Sequence, residues 1–188
     1  MTSSGPGWSE VGRAFSRLLR TKAARVKLLI LDVDGVLTDG RIIMDHKGRE
    51  IKAFDVRDGH GLRLLRETGI EVAMLTGRSS PVVQKRADDL GILRVRQGVH
   101  DKVKAYQEIA REVGITDDEA CFVGDDLVDI PLLKRVGIPI VVGDGAPEAK
   151  RFARYVTRSS GGKGAVREVC DLLLQAQRKW EAVLRRYV

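Results

Sequence analysis

The sequence predicts an α/β fold built on a Rossmann-like parallel sheet. Short apolar runs alternate with amphipathic segments of helical period along most of the 188 residues, and a glycine follows several of the predicted helices. Strands that are buried on both faces of a parallel sheet are apolar throughout, and the runs VKLLILDV and ACFVG have this character. A chain of this length is long enough for one domain with a substantial core.

The elements follow in order from the hydrophobic period and from the residues that end helices. A basic amphipathic helix is predicted over 8–22, and the strand VKLLILDV comes next. Two β-prone runs on either side of Asp45–Gly48 predict a hairpin over about 40–54. The remaining elements are a helix over 58–68, the strand IEVAMLTG, a helix over 80–90, the strand ILRVRQ, a helix over 101–113, the strand ACFVGDD, a helix over 127–136, the strand IPIVVGDG, a short helix and strand within 147–157, and a last helix from Ala165 that continues through the tail.

The net charge of +7 is concentrated at the two ends of the chain. Residues 1–27 hold six basic residues and one acid, and residues 178–188 hold four basic residues and one acid, so the body between them is nearly neutral. This distribution favours solvated termini or contacts with another subunit over a nucleic-acid footprint. It also suggests a division into a basic N-terminal extension (1–25), a main domain (26–177) and a C-terminal tail helix (178–188).

Cysteine usage and hydropathy indicate the compartment. Cys121 and Cys170 are far apart and lack the spacing of a zinc site or of a disulfide scaffold, which fits a reducing cytoplasm. No apolar run approaches the roughly 20 residues of a membrane span, and the N-terminal segment has no signal-peptide h-region. We therefore expect a cytoplasmic protein without a membrane partner.

Polar groups follow the predicted strands at four places. They are the segments Asp32-Val33-Asp34-Gly35, Thr76-Gly77-Arg78, Asp101-Lys102 and Gly124-Asp125-Asp126, with Asp129 one helical turn later. In open parallel sheets the ligand crevice lies outside the carboxyl ends of the strands. Each motif alone is a weak signal, but four of them in these positions predict one shared site.

The residue types at this site suit phosphoryl transfer. Mg²⁺ takes oxygen ligands, usually one or two carboxylates with water and substrate phosphate, and Asp32 and Asp125 supply such carboxylates. A carboxylate beside phosphate is also a nucleophile, and Asp34, in the loop after the strand, is placed to move protons. Thr76 and Lys102 would hold the phosphoryl oxygens by hydroxyl and by charge.

Structural roles are the alternative for several of these residues. Asp125 and Asp126 could cap the following helix, and Thr76 could be a plain N-cap residue. Lys102 could be a solvated charge. His46, His60 and His100 show no metal-ligand spacing and are interpreted as surface residues or as residues behind the site. A non-catalytic anion-binding protein with the same fold is a further alternative, although every acid of the motifs is present.

The motifs DVDGV, LTGR, Lys102 and GDD resemble the four motifs of the haloacid dehalogenase superfamily, and the second acid, Asp34, is typical of its phosphatases. The resemblance implies that Asp32 is the nucleophile and Asp34 the general acid and base. It also implies that Mg²⁺ binds to Asp32, to the backbone carbonyl of Asp34 and to Asp125.

A finer resemblance covers roughly residues 26–177. The segments LLILDVDGVLTDG, KAFDVRDGHGLRLL, GDDLVDIPLL and YVTRSSGGKGAVREVCDLLL are similar to the branch of this superfamily that hydrolyses 3-deoxy-D-manno-octulosonate 8-phosphate, a precursor of lipopolysaccharide. This resemblance implies a cytoplasmic homotetramer with a β-hairpin flap and no separate cap domain. In that branch the hairpins and tails of neighbouring subunits help to close each site. A nine-carbon keto-deoxy sugar acid phosphate is the alternative substrate, because the motif residues do not separate the two.

The same resemblance assigns substrate-binding residues. The substrate is an anion at both ends, and positive charge and polar groups near the motifs could bind it. The predicted substrate-binding residues are Asp34, Asp55, Val56, Arg57, Asp58, Gly59, Arg63, Thr76, Gly77, Arg78, Arg86 and Lys102. Arg63 and Arg86 fall on predicted helices, so a role as solvated surface arginines remains open for both.

Overall fold

The structure is a computed structural model, and it describes residues 17–188, with the side chains described from residue 19 onwards. The strands are β1 Leu28–Leu31, β2 Ile43–Met44, β3 Glu50–Ile51, β4 Glu71–Leu75, β5 Arg94–Arg96, β6 Ala120–Gly124, β7 Ile138–Val141 and β8 Tyr155–Val156. The helices are α1 Arg17–Ala23, α2 Val56–Glu67, α3 Pro81–Leu90, α4 Lys102–Val113, α5 Ile130–Leu133, α6 Pro147–Lys150, α7 Ala165–Ala176 and α8 Trp180–Leu184. Short 3₁₀ turns occupy Asp117–Glu119 and Leu127–Asp129.

Six strands form one sheet in the order β5-β4-β1-β6-β7-β8, and every neighbouring pair is parallel. Leu28 of β1 is level with Glu71 of β4 and with Ala120 of β6, so the carboxyl ends of these central strands reach the same edge. The predicted α/β class with a parallel sheet is confirmed. The hairpin β2–β3 is separate and antiparallel.

The central strand β1 contributes to the core on both faces of the sheet. All four of its residues are fully buried. Leu29 and Leu31 join the core cluster that includes α2 and α7, whereas Leu28 and Ile30 join the cluster that includes α4 and α5. This alternation is the two-residue period of a strand, and burial on both faces explains why the run is apolar throughout.

The C-terminal ends of α3 and α4 match the glycines that predicted them, whereas α2 begins at Val56, two residues before its predicted start. Gly91 and Gly114 adopt left-handed φ angles of 66° and 73° at the C-terminal caps of α3 and α4. Only glycine enters this region without a steric penalty, so both residues stop their helices. Asp55 and Asp101 cap the N-termini of α2 and α4 through side-chain hydrogen bonds to backbone N–H groups.

The structure differs from the sequence prediction after β6. The predicted helix over 127–136 is a 3₁₀ turn followed by the four-residue α5. One carboxylate oxygen of Asp129 accepts the backbone N–H groups of Asp125 and Asp126 at 2.8 and 3.2 Å, and Asp126 and Asp129 form a capping box on the 3₁₀ turn. Pro131 has no backbone N–H and is tolerated only in the first turn of a helix, so α5 begins at Ile130 and not at 127.

The C-terminal segment also differs from the prediction of one continuous helix. The chain breaks at Arg178, which has a φ of 57°, and α8 starts again at Trp180. The break allows Trp180 and Val183 to pack into the same core cluster as Leu19 and Ala23 of α1. The division into extension, main domain and tail helix stays a prediction, and residues 8–16 of the predicted first helix lie outside the described residues.

The predicted hairpin is present. The backbone N–H of Gly48 donates to the Asp45 carbonyl oxygen, and the Asp45 side chain accepts two further backbone N–H groups of the turn. Ile43 and Ile51 face each other across the two strands and are 45% and 53% exposed. Between Arg17 and Val188, the structure contains no helix of the length and apolarity that a bilayer crossing requires.

Candidate active site

Asp32 and Asp34 leave the sheet through a tight turn at the end of β1. The backbone N–H of Asp32 still donates to Val123 in β6 at 3.0 Å, so Asp32 stands at the strand end. Three backbone N–H groups, those of Val36, Leu37 and Thr38, then converge on the Val33 carbonyl oxygen. The turn therefore separates the two acids, as predicted: Asp32 is held by the sheet edge, and Asp34 lies in the loop.

Gly35 is required in this turn for two reasons. Its φ of 94° is in the left-handed region, and a Cβ atom at this position would overlap the carboxylate of Asp125. The loop after β1 thus approaches the end of β6 so closely that a residue without a side chain is needed.

Lys102 joins the motifs through buried charge. Its Nζ lies 2.6 Å from Asp129 Oδ1 and 3.1 Å from Asp32 Oδ1, and all three side chains are less than 10% exposed. The position at the N-terminus of α4 brings Lys102 to the crevice from the side of the sheet opposite α2. The alternative of a solvated lysine is wrong.

Two carboxylates of the site, those of Asp32 and Asp125, have raised pKa values. Burial raises the pKa of Asp32 to about 6, although the charge of Lys102 opposes the shift. Burial also raises the pKa of Asp125 to about 8, and the negative charges of Asp32 and Asp129 add to the effect. For Lys102, burial lowers the pKa, but Asp32 and Asp129 outweigh it, so the net direction is upward.

The carboxylate cluster fits a divalent cation. Asp32, Asp125 and Asp129 bring one carboxylate oxygen each within 4.8 Å of one another. Both oxygens of Asp129 are already used, by Lys102 and by backbone N–H groups, whereas Asp125 Oδ1 is buried without a hydrogen-bond partner. Asp32 and Asp125 are therefore the better side-chain ligands, and an unpaired buried oxygen is stabilised by a cation.

A cavity of about 330 Å³ opens over this cluster. Its lining contains the predicted groups from four strand ends: Asp32, Asp34, Thr76, Gly77, Arg78, Lys102 and Asp125, together with Val99, His100, Asp126 and Val128. Thr76 is 2% exposed, and its hydroxyl accepts the backbone N–H of Arg78 at 3.3 Å. The four motifs therefore meet at one site.

The other predicted substrate-binding residues do not line this cavity. The Asp55 carboxylate accepts a hydrogen bond from the Arg57 guanidinium at 2.7 Å, and Val56 is 81% exposed. Asp58 is buried and accepts the backbone N–H of Arg167 at 2.7 Å, so its side chain holds the start of α7. Its pKa is raised to about 6, chiefly by burial.

Arg63 and Arg86 contact neighbouring groups of their own chain. Arg63 donates to the Asp89 carbonyl oxygen at 2.9 Å, and Arg86 lies over the ring of Phe54 at 5.4 Å. Gly59 leaves the room that the Arg86 guanidinium occupies. The substrate-binding roles of this segment in a single chain stay a prediction.

Four residues at the site had no assigned role from the sequence. Asp129 is fully buried and holds Lys102, and its regular spacing after GDD was the available signal. Glu50 and Lys52 reach the site from the hairpin, and Lys52 Nζ donates to Asp34 Oδ1. His100 lines the cavity although it lacks a partner motif.

Comparison with known proteins agrees with this geometry. The family of haloacid dehalogenase-like hydrolases matches residues 90–169. The 3-deoxy-D-manno-octulosonate 8-phosphate phosphatase of Salmonella typhi is 45% identical over 179 residues, which are 95% of each chain.

Two solved structures are similar along most of the chain. The phosphatase of the same description from Yersinia pestis has a TM-score of 0.85 at 47% identity and covers 86% of this chain and 88% of its own. The Moraxella catarrhalis phosphatase, solved with a magnesium ion, a phosphate ion and the sugar acid, has a TM-score of 0.88 at 39% identity and covers 96% of this chain and 99% of its own. The chain belongs to the haloacid dehalogenase superfamily, in its family of 3-deoxy-D-manno-octulosonate 8-phosphate phosphatases.

Proposed function

We propose that this protein hydrolyses 3-deoxy-D-manno-octulosonate 8-phosphate to the free sugar acid and inorganic phosphate. The observation that carries the proposal is the meeting of Asp32, Asp34, Thr76 and Lys102 in one cavity over the carboxylate cluster. The similarity over 95% of the chain to a phosphatase that acts on this substrate supports the substrate. The reaction would belong to the synthesis of lipopolysaccharide precursors in the cytoplasm, and the two free, buried cysteines fit a reducing compartment.

The proposed reaction has two steps. In the first, an Asp32 carboxylate oxygen bonds to phosphorus while the ester P–O bond breaks, and Asp34 gives its proton to the departing sugar oxygen. In the second, water attacks the aspartyl-phosphate, Asp34 takes the proton of that water, and phosphate leaves Asp32 free again. Lys102 and Thr76 lie at the cavity wall, where they would stabilise the charge on the transferring phosphoryl oxygens.

We propose Mg²⁺ as the cofactor, bound by the carboxylates of Asp32 and Asp125 and the backbone carbonyl of Asp34. The unpartnered Asp125 Oδ1 and the three clustered carboxylates support this assignment. The bound cation would neutralise part of the negative charge that gathers where phosphate meets carboxylates.

Substrate selection is proposed to involve more than one subunit. Arg78 is the arginine that lines the cavity, and its positive charge suits it to bind the carboxylate of the sugar acid. The segment Asp55–Gly59, with Arg63 and Arg86, lies outside the cavity of its own chain. Its exposed members Val56, Arg57 and Arg63 would serve a neighbouring site in a homotetramer, whereas the buried Asp58 and Gly59 would support that surface from within. The exposed aliphatic side chains of the hairpin support such an assembly.

The test is phosphate release by the purified protein from a panel of sugar acid phosphates. We expect the highest kcat/KM on the eight-carbon substrate, loss of activity in excess EDTA and recovery when Mg²⁺ is added. A preference for the nine-carbon keto-deoxy acid phosphate would assign the alternative substrate. Equal rates on unrelated sugar phosphates would contradict the specific assignment, and unchanged activity in EDTA would remove the metal.

A further inference from the structure

Lys52 is buried although it belongs to an exposed hairpin. Its side chain is 1% exposed, whereas Ile51 beside it is 53% exposed. Side chains alternate along an extended strand, so Glu50 and Lys52 point to one side of the hairpin while Ile51 points to the other. That side faces the loop after β1, where Asp34 lies.

Four charged side chains form a closed charge ring at this point: Asp34, Lys52, Glu50 and Arg78. Lys52 Nζ donates to Asp34 Oδ1 and lies 3.1 Å from Glu50 Oε1. Arg78 Nη2 donates to Glu50 Oε1 at 3.0 Å, and Arg78 Nε lies 3.9 Å from Asp34 Oδ2. The charges alternate in sign, so each buried or half-buried group is compensated by both neighbours.

The ring leaves one atom of Asp34 without a hydrogen bond. Asp34 Oδ1 is engaged by Lys52, while Oδ2 is buried and has no hydrogen-bond partner among the described residues. Asp34 lines the cavity over Asp32, so Oδ2 is the oxygen available for proton transfer. The contact with Lys52 restricts the rotation that would exchange the two oxygens.

We propose that Lys52 is a positioning residue: it holds Asp34 Oδ1 so that Oδ2 faces the leaving-group oxygen of the phosphate ester. The proposal rests on the proposed phosphatase function and adds a residue to it. Lys52 acts in the first step, in which the P–O bond breaks and the proton of Asp34 passes to the sugar oxygen. Glu50 and Arg78 complete the ring and hold Lys52 in place.

The experiment compares Lys52→Met with wild type on two phosphates that differ in their leaving groups. One is the best sugar phosphate from the panel, whose alkoxide needs a proton to leave. The other is p-nitrophenyl phosphate, whose phenolate leaves without one. The matched control is Lys47→Met, which removes an exposed lysine from the turn of the same hairpin. Circular dichroism and thermal unfolding verify the fold, and Lys52→Gln replaces the methionine variant if it does not fold.

We expect kcat/KM of Lys52→Met to fall about 100-fold on the sugar phosphate and only a few-fold on the aryl phosphate, since a positioned general acid contributes roughly 10²–10⁴. Asp34→Asn should give the same pattern. In the double variant, Lys52→Met should add little to Asp34→Asn, because a positioning residue acts through the group that it holds. Lys47→Met should behave as wild type on both phosphates.

Two results would overturn the proposal. The first is an equal loss of kcat/KM on both phosphates, which would indicate that Lys52 only holds the hairpin in place or contacts phosphate in general. The second is full additivity of the effects of Lys52→Met and Asp34→Asn. Neither probe has to be the eight-carbon acid phosphate. If the wild-type protein cleaves other phosphates but not the eight-carbon acid phosphate, only the proposed substrate is refuted. The ratio of the two losses in kcat/KM, on the sugar phosphate and on the aryl phosphate, then still decides the role of Lys52. A wild-type protein inactive on every phosphate refutes both proposals.

Discussion

At the scale of single residues, the site is an unbalanced set of buried charges. Asp32, Asp125 and Asp129 face one ammonium group, that of Lys102, so the cluster lacks two positive charges when all three acids are ionised. Burial of unpaired charge is unfavourable, which explains why the pKa of Asp125 rises to about 8, with burial as the largest cause and the charges of Asp32 and Asp129 next. A divalent cation would restore the balance and favour the ionised forms of Asp32 and Asp125.

Asp32→Asn is expected to abolish turnover, because an amide is no nucleophile toward phosphorus. The fold should persist, since asparagine fills the same space and removes a buried charge. Steady-state phosphate release measures the first effect, and circular dichroism measures the second. Activity above a few per cent of wild type would exclude Asp32 as the nucleophile.

Lys102→Met is expected to destabilise the protein by about 3–5 kcal/mol, the usual consequence of leaving buried carboxylates without their cation. Urea unfolding without added metal measures the free energy of unfolding. The control is Lys104→Met, two residues further along α4, where the side chain is exposed and the change should be near zero. Equal stability of the two variants would show that the Lys102 ion pairs do not hold the site.

At the scale of elements, the site depends on the close approach of the loop after β1 to the end of β6.

Gly35→Ala places a methyl group against the carboxylate of Asp125, the proposed metal ligand. We therefore expect a rise of about tenfold or more in the Mg²⁺ concentration for half-maximal activity. Gly69→Ala is the control: its φ of 86° imposes similar strain, but no atom lies within 4 Å of the added Cβ. The activity of both variants is measured as a function of Mg²⁺ concentration, which separates the steric clash at Asp125 from the backbone strain. An equal rise in the half-maximal Mg²⁺ concentration in both variants would contradict the close approach of the loop to Asp125.

Asp58 links α2 to the start of α7 and predicts a pH dependence of stability. Burial raises its pKa in the folded protein to about 6, from an ordinary value of 3.8. The folded state therefore keeps a proton that the unfolded state has released between about pH 4 and 6, so the free energy of unfolding falls as the pH rises through this window. Asp58→Asn lacks this fall, and its stability relative to wild type should increase from pH 4 to pH 7.

Urea unfolding at several pH values tests the Asp58 prediction. Asp45→Asn is the control with the opposite sign, because hydrogen bonds from the backbone and side chain of Arg49 lower the pKa of Asp45. Its stability relative to wild type should decrease as the pH rises toward about 4, near the ordinary value of 3.8, and should change little above that pH. A pH-independent difference for Asp58→Asn would show that Asp58 is not buried as described.

At the scale of the whole molecule, the hairpin is an incomplete structure in one chain. Two paired strands with an exposed aliphatic face are marginal in water, and here the charge ring ties the hairpin to the site. A homotetramer would cover Ile43 and Ile51, so light scattering at micromolar concentration should give about four times the chain mass of 20.8 kDa. Ile51→Glu should give a smaller species, and Leu93→Glu, at an aliphatic position that is 85% exposed elsewhere, should not. A monomeric wild type would contradict the shared site.

Much of the fold was predictable because it depends on local patterns. The apolar run of β1, the glycines that end α3 and α4, and the hairpin turn at Asp45 each have a physical cause within a few residues. The helix after β6 was predicted too long, because Pro131 is tolerated only in the first turn of a helix, so α5 begins at Ile130 after a 3₁₀ turn that Asp126 and Asp129 cap. The tail was predicted to be continuous, because the burial of Trp180 in the core cluster depends on residues far away in the chain.

The sequence by itself determined the chemistry of the protein: which strands end in acids, that Asp32 and Asp34 are separated by a turn, and that Thr76, Lys102 and Asp125 reach the same sheet edge. Parallel strands make this inference possible, since their carboxyl ends share one edge. Only the tertiary structure decided which charges pair. The contacts of Lys102 with Asp129 and of Lys52 with Asp34 join residues far apart in the chain, and their distances depend on how loops close over a packed core.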